Sequence, residues 1–134
     1  MRVLFLAMLA ACGATDDVLG TWTGTCTMDA TGWPDSVDLT LDITRDSAAN
    51  VSGTGQLHHF SWDTAAESGD WSGEIDGTHQ ADRVVLDLDI SFDGEDGGHA
   101  GQSLRLQIEG EKLENAIHGT CQLSGIPGTI SLTR

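Results

Sequence analysis

The sequence predicts an all-β domain: an antiparallel up-and-down β-barrel of about eight strands, with a β-sandwich as the alternative. Three observations point there. Seventeen glycines and many threonines in 134 residues disfavour long helices. Several segments alternate apolar and polar residues with a period of two, the pattern of a strand with one buried face. A Gly-Thr dipeptide recurs at Gly20-Thr21, Gly24-Thr25, Gly53-Thr54, Gly77-Thr78, Gly119-Thr120 and Gly128-Thr129. In one consistent phase its glycines face the apolar side and its threonines face out.

The strands follow in order. Leu19–Met28 opens the series. Val37–Arg45 sets Val37, Leu39, Leu41 and Ile43 against Asp38, Thr40, Asp42 and Thr44. Val51–His59 and Asp70–Gly77 come next. Arg83–Phe92 carries Val84, Leu86, Leu88, Ile90 and Phe92 on one face. Ser103–Glu109 places Leu104, Leu106 and Ile108 together, Leu113–Leu123 places Leu113, Ile117, Cys121 and Leu123 together, and Thr129–Arg134 places Ile130 and Leu132 together. Turn chemistry separates them: Gly32 and Pro34, the polar Asp46–Asn50, the acidic Asp93–Gly98, Gly110-Glu111 as a tight hairpin, and Ser124–Gly128 around Pro127. Ser61–Gly69 has room for one helical turn, with Asp63 to cap it and Gly69 to end it. A sheet with one apolar face must close on itself or stack on another sheet, and consecutive hairpin-linked strands favour closure.

Charge limits the partners. Six basic residues oppose 21 acidic ones, a net −15, and Lys112 is the only lysine. Such a surface repels nucleic acid and anionic lipid. It is either a solvated acidic shell or an attractor of a cationic partner.

The amino terminus has the layout of a secretory signal. Arg2 precedes the apolar run Val3 to Ala11, which is too short to span a bilayer. Leu9-Ala10-Ala11-Cys12 resembles the lipobox of bacterial lipoproteins, which implies cleavage before Cys12 and lipidation of its thiol. The domains then read as a signal peptide at 1–11, the lipidated cysteine and a short tether at 12–18, and the barrel at 19–134. Removing residues 1–11 leaves 123 residues with five basic and 21 acidic side chains, a net −16. Several acyl chains anchor stably where one is marginal. Gly13 follows the cysteine. In that family an aspartate there retains the protein at the inner membrane, so its absence implies the outer membrane of the cell envelope.

Gly20-Thr21-Trp22 resembles the G-x-W motif of lipocalins and related calycin barrels. The resemblance implies that Trp22 plugs the closed end of the barrel and that Arg134, at the end of the last strand, packs over it. In a closed eight-stranded barrel the first strand's start lies beside the last strand's end, so the pair meets. The resemblance covers the architecture of residues 19–134 and says little about ligand.

With Cys12 taken by lipid, Cys26 and Cys121 remain, and an even remainder in an oxidising compartment points to one disulfide. Both face inward. In the eight-strand order, however, one strand separates them. Two strand spacings exceed about 9 Å, whereas a disulfide wants Cα atoms under about 7 Å apart. Either Cys121 lies where the chain leaves the sheet, or the strand order differs, or there is no bridge; the bridge is the expectation kept.

Catalytic chemistry has no strong motif: no nucleophile elbow, no phosphate-cradling loop, no C-x-x-C. His58 and His59 are adjacent strand residues and point to opposite faces, so they do not join Asp63 in one metal site. Asp93–His99 lacks the spacing of a calcium loop and reads as an acidic turn. Asp87 and Asp89 share an outward, solvated face. Trp22 and Trp71 fall on inward phases, and Trp33 and Trp62 fall in loops, either as recognition residues or as a lid.

These readings predict a lipid-anchored envelope barrel, without enzymatic activity, cofactor or metal. It binds a small apolar ligand or serves as an envelope binding module. The candidate pocket is Trp71, His59, Leu57, Leu88 and Asn115, near inward Gly55 and Gly73. The alternative is an acidic barrel-type inhibitor of a cationic secreted enzyme such as a lysozyme or protease. A ligand carrier needs a cavity, whereas an inhibitor can be packed solid.

Overall fold

The computed structural model describes residues 17–28, 36–47, 49–60, 69–92 and 102–134, without the side chains of residues 59 and 60. Eight antiparallel strands close into one barrel: β1 (Gly20–Met28), β2 (Ser36–Ser47), β3 (Asn50–Phe60), β4 (Gly69–Gln80), β5 (Arg83–Phe92), β6 (Ser103–Leu113), β7 (Ala116–Leu123) and β8 (Ile126–Thr133). Each strand pairs with the next, and β8 returns to β1 through Thr23↔Thr133 to Met28↔Gly128. No sandwich forms. The lipobox with Cys12, the loop tryptophans Trp33 and Trp62, the Ser61–Gly69 turn and the acidic Asp93–His99 stretch fall wholly or almost wholly outside the described residues.

Period-two alternation decides the inside. Val37, Leu39, Leu41 and Ile43 of β2 are buried, as are Val84, Leu86, Leu88 and Ile90 of β5. Trp22 and Trp71 are wholly buried at opposite ends of this core. The recurrent glycines keep the inward phase and the threonines the outward one. At Gly24, Gly53, Gly73 and Gly119 an added Cβ would lie 1.9–2.1 Å from a carbonyl oxygen of the neighbouring strand. Glycine at these sites lets adjacent backbones coil tightly enough to close a narrow barrel.

Two features depart from the sequence expectation. Gly110-Glu111 is not a turn: β6 continues to Leu113 and the hairpin is Glu114-Asn115, with Glu114 at φ 57°. Consequently Lys112 is buried and Leu113 is 74% exposed, the reverse of the expected grouping of Leu113 with Ile117. Likewise the last turn is the tight pair Ser124-Gly125, both at positive φ, and Pro127 sits within β8 opposite Gln122.

The disulfide and the barrel coexist. Cys26 and Cys121 are bonded with Cα atoms 6.2 Å apart, although β8 runs between their strands. The two inward-facing Cα atoms therefore approach well inside the flat-sheet spacing at this crossing. The bridge passes over Gly128, which pairs with Cys121 on one side and Met28 on the other. A Cβ at Gly128 would lie 2.5 Å from the Thr27 carbonyl oxygen and 3.1 Å from Cys121 Sγ, so the crossing is open only to glycine.

Candidate functional site

In this topology the hairpins β2–β3, β4–β5 and β6–β7 share one end of the barrel with the start of β1 and the end of β8. A polar network seals this end. The Arg134 guanidinium carbon lies 4.7 Å above the Trp22 ring centre. Its Nη1 donates to the Asp17 carbonyl (2.9 Å), the Asp17 carboxylate (3.2 Å) and the Leu19 carbonyl (2.8 Å). Its Nε and Nη2 donate to Asn115 Oδ1 at 3.1 and 3.0 Å. Trp22 Nε1 donates to the Val18 carbonyl at 2.9 Å, and Val18 is wholly buried. Residues 17–19 therefore form a strap across the barrel end.

The strap has a second clasp that alternation alone does not reveal. A register shift between Ile43 and Arg45 turns Asp46 inward beside Val51. Its Oδ2 accepts the Val18 N–H at 2.9 Å and lies 2.8 Å from His79 Nδ1. His79 continues the inward phase of β4, and both side chains are nearly buried. Asp17, Val18, Asp46 and His79 were not among the expected site residues. Asp46 reads as part of a polar turn until the bulge is seen, and the His79 phase was the available signal.

The five residues expected to line a ligand pocket do not form one group. Leu57 pairs directly with Trp71, which makes an edge contact with Phe92 at 5.1 Å between ring centres. Leu88 reaches the same interior: a Cβ on Gly55 would lie 2.3 Å from Leu88 Cδ2 and 3.0 Å from Leu41 Cδ2. The space that inward Gly55 leaves is thus filled by leucine. His59 lies in β3, but its side chain is not described. Asn115 stands apart, exposed in the hairpin at the sealed end, where its side-chain Oδ1 accepts from the Arg134 guanidinium. A hairpin register displaced from the expected one accounts for its removal from the interior.

The outer wall carries the acid. Across β4 and β5, Glu74 faces Asp89 and Asp76 faces Asp87. With Ser72, Gly73 and Ser91 they line a shallow groove of about 400 Å³. Arg105 forks onto Asp87, with Nε donating to Oδ1 at 2.9 Å and Nη2 to Oδ2. This hydrogen-bonded guanidinium holds the Asp87 carboxyl below its ordinary value, against a smaller opposing effect of burial. Asp87 raises the Arg105 pKa in return, chiefly through the same hydrogen bonds. His58 lies on the outer face too, with Nε2 2.8 Å from Thr40 Oγ1 and Nδ1 3.9 Å from Asp70. Among the described residues no three His, Cys, Asp or Glu side chains cluster as a metal site.

Comparison with known proteins finds no matching family model, no matching curated protein and no matching solved structure.

Proposed function

We propose that this chain is a non-catalytic, lipid-anchored binding module of the bacterial cell envelope, at the outer membrane, whose solid barrel presents an acidic outer wall to a cationic partner. The observation that carries this reading is the filled interior. Leu57, Trp71 and Leu88 are wholly buried against one another's neighbourhood, and Leu88 with Leu41 occupies the space beside Gly55. That packing supports binding on the outside and weighs against a small apolar ligand held within. Carboxylates directly opposite on β4 and β5 repel one another, and Arg105 offsets this only at Asp87. A basic partner relieves that repulsion and is steered in by the net −15 of the chain. An inhibitor of a basic secreted enzyme is the most specific form of this reading. The Trp22–Arg134 stack below Gly20 supports kinship with calycin barrels, and the Leu9–Cys12 lipobox supports the anchor.

The test has two parts. Native mass spectrometry of residues 13–134, purified without detergent, is expected to give a bare mass; a stoichiometric small molecule released on denaturation would sink the solid-scaffold reading. Immobilised protein is expected to retain basic envelope enzymes at low salt and release them as salt rises. Retention that ignores salt, or none, removes the cationic partner.

A further inference from the structure

The sealed end differs in chemistry from the rest of the surface. Among the described residues the two exposed large hydrophobics are Leu113, 74% exposed in the β6–β7 hairpin, and Leu19, 40% exposed on the strap. Both lie at the sealed end. Basic residues concentrate there too. Arg45 pairs with Ser52 beside the β2–β3 turn, Arg83 follows the β4–β5 turn, Lys112 precedes the β6–β7 turn, and Arg134 closes the network. Of the basic residues after Arg2, Arg105 alone lies away from this end. The acids Asp17, Asp46, Asp82, Glu109, Glu111 and Glu114 stand among these cations, Glu109 as the ion-pair partner of Arg83, so this end carries mixed charge. By contrast, the connections at 29–35, 61–68 and 93–101, which join the strands at the opposite end, contain several Asp and Glu and no Lys or Arg.

The chain reaches this end from its amino terminus. Residues 17–19 are pinned across Trp22 by Arg134 and Asp46. Gly13 to Asp17 is five residues and extends at most ~17 Å. The eight residues of β7 span ~26 Å along the strand, or ~20 Å of barrel height at a tilt near 40°. A lipid on Cys12 therefore brings the sealed end to the bilayer with a slack tether, whereas the opposite end comes to it only with the tether drawn taut along the whole wall.

We infer that the sealed end is a membrane-facing surface, with Leu113 and Leu19 seated in the headgroup region of the bilayer and the acidic, loop-bearing end turned away. The inference rests on the lipid anchor at Cys12. Three observations converge on it: where the tether enters, where apolar side chains are exposed, and where the basic residues gather. An anionic leaflet repels the end without Lys or Arg more than the end where the cations gather, within a Debye length of about 8 Å. The anchor supplies the affinity, and the surface sets the orientation.

The test supplies the anchor chemically, so it does not depend on lipidation in a cell. Cys26 and Cys121 are bridged, which leaves Cys12 as the one reactive thiol of three. The chain from Cys12 onward, which contains all eight strands, is coupled to a maleimide-bearing lipid. The vesicles contain zwitterionic and anionic phospholipid, part of it brominated at a shallow acyl position. Leu113→Trp, at the end of β6 on the sealed end, and Gln122→Trp, near the end of β7 on the opposite end, both at exposed sites, are compared with the parent. The emission added by Leu113→Trp is expected to fall by roughly half and shift to the blue, and that from Gln122→Trp to stay unchanged. Leu19→Trp is the second probe of the sealed end, used if Leu113→Trp does not fold. Equal quenching at both ends, stronger quenching at Gln122→Trp, or none at either overturns the orientation. Lipidation is examined separately, by asking whether Cys12→Ser releases the protein from cell membranes. That result can fail while the vesicle result stands.

Discussion

Removing the Cys26–Cys121 bridge is expected to be among the costliest changes to this fold. The two cysteines lie 95 residues apart in sequence. Closing a loop of that length in the unfolded chain removes about 16 cal/mol/K, or about 4.7 kcal/mol at 25 °C on the chain-entropy account. Measured bridges more often give about 2–4 kcal/mol, because the unfolded chain is already partly compact. Both sulfurs are also buried, so a Cys26→Ala/Cys121→Ala variant loses packing over Gly128 as well. The expected loss is therefore about 3–5 kcal/mol. Urea unfolding followed by tryptophan emission measures it directly, since Trp22 and Trp71 are wholly buried. The denaturant slope provides an independent check. Without the bridge the unfolded chain expands and exposes more surface, so the slope should rise. A loss below about 1 kcal/mol with an unchanged slope would refute the argument, because it would mean that the bridge constrains neither state.

Other outcomes follow from the interior, the sealed end and the outer wall. Gly55→Ala pushes against the ends of Leu88 and Leu41, and should destabilise by about 1–3 kcal/mol in thermal or urea unfolding. Gly73→Ala meets the Asp89 carbonyl oxygen at 2.0 Å and should cost more. A neutral or stabilising Gly55→Ala would reveal an empty interior and revive the ligand carrier. Arg134→Ala strips the strap of its hydrogen bonds and Trp22 of its cation, for about 2–4 kcal/mol. Arg134→Lys keeps the charge but not the fork and should restore less than half of that; full rescue in a melting experiment would show that charge alone suffices. The Asp87 carboxyl is held below its ordinary value in the folded state. Its ion pair with Arg105 therefore adds stability above the unfolded carboxylate pKa, near about 4, and loses it as pH falls through the folded value. Unfolding of Arg105→Gln should accordingly differ slightly from the parent at pH 7 and converge with it in acid. A difference that persists at pH 2 would mean the arginine acts through packing.

The strands were legible because burial here is written in a period of two. Val37 to Ile43 and Val84 to Ile90 need no tertiary information to reveal their inner face, and the Gly-Thr pairs fix the phase of strands with few apolar residues. Legibility failed where local geometry breaks that period. Leu113 reads as core and Lys112 as surface until the turn is placed at Glu114, a residue whose positive φ no sequence pattern announces. Asp46 is turned inward by an extra residue in β2, so the clasp on Val18 was hidden although the Trp22–Arg134 pairing was expected. The disulfide was expected, but its fit within the barrel was not. The two cysteine Cα atoms approach to 6.2 Å across Gly128, closer than the flat-sheet spacing from which separation is usually reasoned. Asn115 was assigned to the interior for the same reason as Leu113, a misplaced hairpin.

The seam between β1 and β8 also dictates when the fold can exist. Thr23 pairs with Thr133, so β1 keeps one unsatisfied ladder edge until nearly the whole chain is present. Every other pairing is a neighbouring hairpin that forms early and locally. The closing step is the contact of greatest sequence separation and bears the largest loop-closure entropy, which places this barrel among slow, late-committing folders. Once Cys26 and Cys121 are joined, β1 and β7 stay within reach through any partial opening, and only β8 has to find its slot again. Re-closure then becomes a local search, and a tethered molecule that frays need not repeat the long-range encounter that first assembled it.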